Sequence, residues 1–104
     1  MFEAAEVGRN LSLRLAWMQA AGLIPNYEAS MAKVYSTELH QRTARTGARA
    51  MGLYANLWPG DERALLEGEF ADSYVRVIPE TIAGGTSEIQ RNVIATRGLG
   101  LPRG

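Results

Sequence analysis

The chain has 104 residues, of which 46% are hydrophobic and 21% charged, an ordinary mixture for one globular domain. The charges of eleven basic and eleven acidic side chains cancel, which argues against a nucleic-acid binder or a polybasic membrane anchor. No apolar run is as long as a membrane helix, which needs about 20 residues. Cysteine is absent and histidine occurs once, which excludes disulfides, thiolate catalysis and Cys- or His-cluster zinc sites, and a reducing cytoplasm is the expected location.

The first predicted helix runs from Phe2 to Ile24, a stretch without proline. Its apolar residues fall on two stripes, one containing Leu11 and Met18, the other Leu13 and Trp17. A helix with two apolar faces is expected to contact more than one neighbour in a bundle. No capping residue precedes it, so we expect the chain to be part of a longer protein.

The second predicted helix runs from Tyr27 to Met51, after a turn at Pro25. Small residues near its end, Gly47 among them, allow another backbone to approach closely. Within it, Lys33 is either a bridge to a carboxylate inside the bundle or a surface lysine. A third helix is predicted from a cap at Asp61 to about Pro79, where proline removes a backbone donor.

The segment IAGGTSEIQRN, residues 82–92, places two glycines directly before a fourth predicted helix, which begins near Ser87. Ser87 and Gln90 fit a capping box, in which each side chain satisfies a backbone donor. Gly84 and Gly85 leave backbone N–H groups unshielded beside the positive end of a helix, where negative groups bind. From these residues alone, the loop is either a ligand site or a capped turn.

These elements predict one all-α domain over residues 1–104. We expect an antiparallel bundle of three long helices and one short C-terminal helix, and the sequence contains no strand pattern of any length.

Three stretches resemble one enzyme family. TIAGGTSEIQRNVIATRGLGLPR, residues 81–103, resembles the C-terminal signature of the flavin-dependent acyl-CoA dehydrogenases. EASMAKVYSTELHQRTARTGARAMG, residues 28–52, resembles the long helix that leads to a glycine turn, and RLAWMQAAGLIPN resembles the end of the helix before it. The resemblance covers nearly the whole chain but only the last portion of a family member, so it implies the C-terminal part of the family's C-terminal helical domain.

The resemblance implies an oxidoreductase that carries out α,β-dehydrogenation of acyl-CoA thioesters. In that family a carboxylate removes the α proton, FAD accepts a hydride, and electrons pass to an electron-transferring flavoprotein or another acceptor. Subunits form homo- or hetero-oligomers. The implied partners are therefore acyl-CoA, FAD, further dehydrogenase subunits and an electron acceptor, and the isolated 104-residue chain is expected to be inactive.

Four consecutive residues match the family's FAD site. Thr86, Ser87 and Glu88 match positions that hold the cofactor, and Gly85 matches a position beside the thioester and the flavin. Many family members carry the catalytic glutamate at the position of Gly84, and glycine has no group to accept a proton. No catalytic residue is therefore predicted in this chain, and no metal ligand.

A second departure concerns the glycine turn that supports the FAD of an adjacent subunit in the family. Arg49 lies at the position of a glutamine, and Gly52 matches the first glycine, while the next two are replaced. Arg49 and Gly52 are therefore secondary cofactor-binding candidates, and Arg49 is either a phosphate partner or a solvated surface residue.

Two alternatives stay open. A non-catalytic structural subunit or interaction module of a heteromeric acyl-CoA dehydrogenase would keep the fold without the base. A fragment of an acyl-CoA oxidase would share the architecture and pass its electrons to oxygen. The acyl chain specificity, the electron acceptor and the oligomeric state do not follow from the sequence.

Overall fold

A computed structural model describes residues 1–103. It contains four α-helices: α1 (Phe2–Ala20), α2 (Tyr27–Met51), α3 (Glu69–Arg76) and α4 (Ser87–Val93). Short 3₁₀ turns occupy Gly52–Asn56, Leu65–Gly68 and Pro79–Thr81, and a π-helical turn at Ile94–Gly98 continues α4. No strand occurs within residues 1–103, which confirms the predicted all-α class.

Helix α2 is the centre of the fold, because α1, α3 and α4 all pack against it. The Tyr35 hydroxyl donates to the Ala4 carbonyl at 3.0 Å, and the Thr43 hydroxyl lies 3.9 Å from the sulfur of Met1. Contacts thus move toward the start of α1 as residue numbers rise along α2. The start of α1 therefore lies beside the middle of α2.

Helix α3 approaches α2 closely at a glycine. A Cβ at Gly47 would overlap the Phe70 ring, so only glycine leaves room for that ring against the α2 backbone. Six residues earlier along α2, the Gln41 side-chain amide donates to the Val77 carbonyl at 3.4 Å. The predicted close approach at the small residues of α2 is confirmed.

Two helices are shorter than the sequence predicts. Helix α1 ends at Ala20 rather than Ile24, because Gly22 adopts a left-handed φ of 73°. Helix α3 begins at Glu69, because Leu66 and Glu67 have φ values of 50° and 56°, which no right-handed helix accommodates. The third helix therefore spans eight residues.

The predicted cap at Asp61 is wrong. Its carboxylate accepts the backbone N–H of Arg63 at 2.9 Å and pairs with the Arg63 guanidinium at 2.8 Å, so it closes a local turn. That guanidinium lowers the pKa of Asp61 to about 2. The side chain is thus used within the loop, eight residues before α3 begins.

Much apolar surface stays uncovered in this chain. The buried apolar residues are Met18, Ala32, Ala44 and Ala71. By contrast, Trp17 is 64% exposed and Leu53 87% exposed. Large apolar side chains with this exposure are available for contacts with other protein elements. Among residues 1–103, no helix combines the length and apolarity needed to cross a membrane.

Candidate functional site

The loop that leads into α4 is bent by two glycines. Gly84 and Gly85 have φ values of 67° and 95°, in the region that residues with a Cβ rarely occupy. A Cβ at Gly85 would lie 2.6 Å from the Nε2 atom of Gln90, whereas a Cβ at Gly84 would meet no atom of the described chain within 4 Å. The backbone path therefore requires glycine, and the side of the loop at Gly84 is open.

Two side chains hold this loop in place. Lys33, on α2, donates from Nζ to the Gly85 carbonyl at 2.6 Å. Gln90, on α4, donates from Nε2 to the Gly84 carbonyl at 2.9 Å. The suggested bridge from Lys33 to a carboxylate is wrong, since its partner is a backbone oxygen. Both loop carbonyls thus accept a hydrogen bond from a helix side chain.

The cap of α4 is Thr86 rather than Ser87. The Thr86 Oγ1 atom accepts the Ile89 backbone N–H at 3.2 Å, and Ser87 is the first helical residue. Because Gln90 bonds to the Gly84 carbonyl, it does not complete the capping box predicted with Ser87. The helix start was predicted correctly, but the side chain that caps it was not.

Because Thr86 caps α4, the Ser87 hydroxyl makes no capping hydrogen bond. Ser87 is 6% exposed, and its Oγ atom has no hydrogen-bond partner within residues 1–103. A buried hydroxyl without a partner carries a desolvation penalty, and native proteins rarely leave one unexplained. Ser87 Oγ is thus a buried polar side-chain atom that the described chain leaves unpaired.

A cavity of about 460 Å³ lies between this loop and α2. Thr86, Ser87 and Glu88 line one side, so the structure brings three of the four predicted FAD contacts to one wall. Arg42 and Arg45 of α2 line the opposite side. The cavity therefore combines hydroxyl groups with guanidinium groups, a set suited to an anionic, hydroxyl-bearing ligand.

Some charged side chains around the cavity form ion pairs and others do not. Arg91 and Glu38 form an ion pair of 2.7 Å across its edge. The pKa of Glu88 is lowered, first by its own backbone N–H and then by the Thr86 hydroxyl, so its carboxylate stays ionised. Arg42 makes no ion pair with any residue of the part of the chain described.

Arg45 donates only to the neutral Gln41 side chain, at 3.0 Å. Three arginines and two glutamates therefore line the cavity, which leaves it with an excess of positive charge.

The secondary candidates lie apart from this cavity. Arg49 is exposed near the end of α2, and Gly52 follows that helix with a φ of 58° and donates its N–H to the Arg49 carbonyl. Neither residue lines the cavity. Their contact with the FAD of a neighbouring subunit stays a prediction.

Two features of the site were missed by sequence reasoning. One is the bond from Lys33 to Gly85, although Lys33 is the only lysine of the chain. The other is the pair Arg42 and Arg45, whose spacing of three residues places both on one face of a helix. Among residues 1–103, no cluster of three or more His, Cys, Asp or Glu side chains could hold a metal ion.

Comparison with known proteins shows the family of the chain. The family described as "Acyl-CoA dehydrogenase, C-terminal domain" matches residues 1–99. The chain is 37% identical over 103 residues to acyl-CoA dehydrogenase FadE26 of Mycobacterium tuberculosis, covering 95% of this chain and 26% of that protein. It is 36% identical over 76 residues to FadE29 of the same organism, covering 73% and 19%. The chain thus spans about a quarter or less of the length of these relatives.

Solved structures give the same result. The ChsE4–ChsE5 complex from Mycobacterium tuberculosis superposes with a TM-score of 0.90 at 34% identity, over 99% of this chain and 26% of the matched chain. The Tcur3481–Tcur3483 steroid ACAD superposes with a TM-score of 0.93 at 28% identity, over 99% and 27%. The chain belongs to the acyl-CoA dehydrogenase family, whose C-terminal domain it matches from its first residue to residue 99.

Proposed function

We propose that this chain forms the FAD-contacting helical wall of an acyl-CoA dehydrogenase that acts on acyl-CoA thioesters. One observation carries the proposal. The loop that matches the family's cofactor positions borders a cavity in which the buried Ser87 hydroxyl has no protein partner. A capped turn alone gives no reason for that hydroxyl to stay unbonded.

The residues present fit part of a FAD molecule. Its diphosphate and ribityl hydroxyls need donors, and the cavity offers the Ser87 hydroxyl and two guanidinium groups. The Thr86 hydroxyl is already used, because it accepts the Ile89 N–H in the helix cap and bonds to the Glu88 carboxylate. A cavity of about 460 Å³ holds a portion of the cofactor, and the rest would lie against other elements of the complete protein.

Because Gly84 has no side chain, we assign cofactor positioning to this chain and proton removal to other residues. Bound FAD would supply the hydride acceptor, and this chain would position it through residues 85–88. Gly84 offers no carboxylate, and Glu88 is engaged at the start of α4, where its pKa is lowered. The base that removes the α proton is therefore expected from residues outside this chain, or from another subunit. A non-catalytic subunit of a heteromeric dehydrogenase is the second candidate, favoured by the same glycine.

The acyl group is proposed to be bulky. A Cβ at Gly84 would meet nothing within 4 Å in the described chain, so the side of the loop where many relatives carry a glutamate is open. One similar structure is named a steroid ACAD, and the names of both similar structures contain two different proteins. We extend both properties to this chain as part of the proposal: a polycyclic acyl-CoA substrate and a hetero-oligomeric assembly.

The test is a FAD titration followed by flavin fluorescence, in the full chain and in the assembled dehydrogenase that contains it. Gly85→Val is expected to weaken FAD binding at least about tenfold, because its Cβ would displace Gln90 and strain a φ of 95°. Gly22→Val is the matched control, with a φ of 73° and no atom within 4 Å of its Cβ, and it should bind FAD like the parent.

If folded Gly85→Val binds FAD as tightly as the parent, the loop is only a capped turn. Acyl-CoA-dependent dye reduction with added FAD is expected to be absent for the 104-residue chain alone. Turnover by that chain would contradict the assignment of the base to other residues.

A further inference from the structure

The turn Pro79–Thr81, which precedes the glycine loop, is bonded to one place on α2. The Gln41 side-chain amide donates to the Thr81 Oγ1 atom at 3.0 Å in a partly buried position. The adjacent His40 has its Nδ1 atom 2.8 Å from the Glu80 carboxylate, and His40 is the donor because a carboxylate only accepts. Two neighbouring residues of α2 thus bind two neighbouring residues of the turn.

The polar atoms of the Gln41 side chain are all engaged. Its Oε1 atom accepts an N–H of the Arg45 guanidinium at 3.0 Å, and its Nε2 atom also lies 3.4 Å from the Val77 carbonyl. Because arginine only donates and a carbonyl only accepts, one orientation of the amide satisfies both. The Thr81 hydroxyl accepts from Gln41 and donates to the Ile78 carbonyl at 3.1 Å. Three hydrogen bonds therefore run in sequence from Arg45 to the backbone of the turn.

These bonds hold the chain where it enters the glycine loop. The backbone N–H groups of Ile82 and Ala83 both donate to the Pro79 carbonyl, at 3.0 and 2.8 Å, so the turn extends to the residue before the glycine pair. At the other end of the loop, Lys33 donates to the Gly85 carbonyl. The loop is therefore bonded to α2 on both sides of the glycine pair.

Glycine has more backbone freedom than any other residue, so a loop built on Gly84 and Gly85 keeps one position only where its ends are held. Gln41 and Thr81 also line the cavity of about 460 Å³ that this loop borders. We infer that Gln41 is a positioning residue for the loop at residues 82–86 and acts through the Thr81 hydroxyl. The inference rests on the proposed function in one respect, namely that the positioned loop contacts FAD.

The first measurement is amide hydrogen exchange by NMR in the full chain without FAD, with the hydrogen-bonded amides of Ile82 and Ala83 as reporters. Gln41→Met keeps a long side chain without its hydrogen bonds, and Thr81→Val removes the hydroxyl at similar volume. Each should speed exchange at both amides by about two- to tenfold, as for the loss of one hydrogen bond. Thr81→Ser keeps the hydroxyl and should exchange like the parent. Gln19→Met, at an exposed position of α1, is the matched control and should leave both amides unchanged.

The second measurement is FAD binding by flavin fluorescence, with visible circular dichroism of the bound flavin, at a temperature where every variant is folded. Gln41→Met and Thr81→Val should each raise the dissociation constant of FAD about two- to tenfold and change the circular dichroism of the bound flavin. Because both substitutions remove the same hydrogen bond, the double variant should weaken binding by less than the product of the two single effects. A side chain that only stabilised the fold would lower Tm and leave the affinity and the spectrum unchanged.

Exchange at Ile82 and Ala83 that keeps the parent's rate in Gln41→Met and in Thr81→Val overturns the inference. Faster exchange with unchanged FAD affinity and an unchanged spectrum also overturns it, because the turn then does not position the cofactor. Failure of the proposed function gives a different result, a parent protein that binds no FAD. In that case the exchange rates still decide whether Gln41 holds the loop.

Discussion

Replacing Lys33 by methionine tests the tether of the cofactor loop. The Nζ atom of Lys33 donates to the Gly85 carbonyl at 2.6 Å in a partly buried position. A hydrogen bond to a charged donor contributes about 1.5–3 kcal/mol, and partial exposure reduces this to roughly 1–2 kcal/mol. At about 4–8 °C per kcal/mol for a domain of this size, we expect Tm to fall by roughly 4–16 °C.

The same substitution should also weaken FAD binding, since the loop loses its connection to α2. The assays are thermal unfolding followed by circular dichroism, and flavin fluorescence titration at a temperature where the variant is folded. Arg14→Met is the matched control: it removes a long cationic side chain from an exposed position of α1 and should leave both quantities unchanged. A Lys33→Met protein with the parent's Tm and the parent's affinity for FAD would refute the tether.

Ser87→Ala removes a buried hydroxyl that has no partner, so the unfolding free energy of the unliganded protein should stay equal or rise by up to about 1 kcal/mol. FAD should raise the Tm of this variant less than it raises the Tm of the parent. A clear loss of unliganded stability in urea unfolding would contradict this expectation. The carbon-detected NMR titration of the Asp61 carboxylate should have its midpoint near pH 2 and move toward 3.8 in Arg63→Gln. Because that pKa is depressed, any contribution of the ionised form to stability is complete above pH 3.8 and is lost as the pH falls through about 2. Gly47→Ala should destabilise the protein by about 1–3 kcal/mol in urea unfolding, because its Cβ would overlap the Phe70 ring, and unchanged stability would show that the ring moves freely.

The regular parts of the fold follow well from the sequence. The bounds of α2 were predicted at Tyr27 and Met51, because a turn precedes the helix and Gly52 ends it. The start of α4 after the glycine pair was also predicted. In both cases the signal is local, a periodic apolar pattern between residues that stop a helix.

The errors arose where tertiary contacts override local preference. No sequence feature predicts a left-handed backbone at Leu66 and Glu67. Both residues nevertheless adopt it, next to the point where Gly68 packs against Pro59. Within the site, Thr86 and Ser87 are equally good caps by composition. The loop that leads to Thr86 is bonded at the Gly85 carbonyl to Lys33, a contact across 52 residues that periodicity does not detect.

Hydrogen–deuterium exchange with and without FAD, read by mass spectrometry on the assembled dehydrogenase, tests most directly whether residues 85–88 contact the cofactor. The account predicts that FAD slows exchange in peptides covering residues 82–92 and residues 38–46, on the two sides of the cavity. Peptides covering residues 10–20 of α1, outside the cavity, should exchange at an unchanged rate. Bound FAD that leaves residues 82–92 exchanging as fast as before would contradict the assignment of this loop to the cofactor.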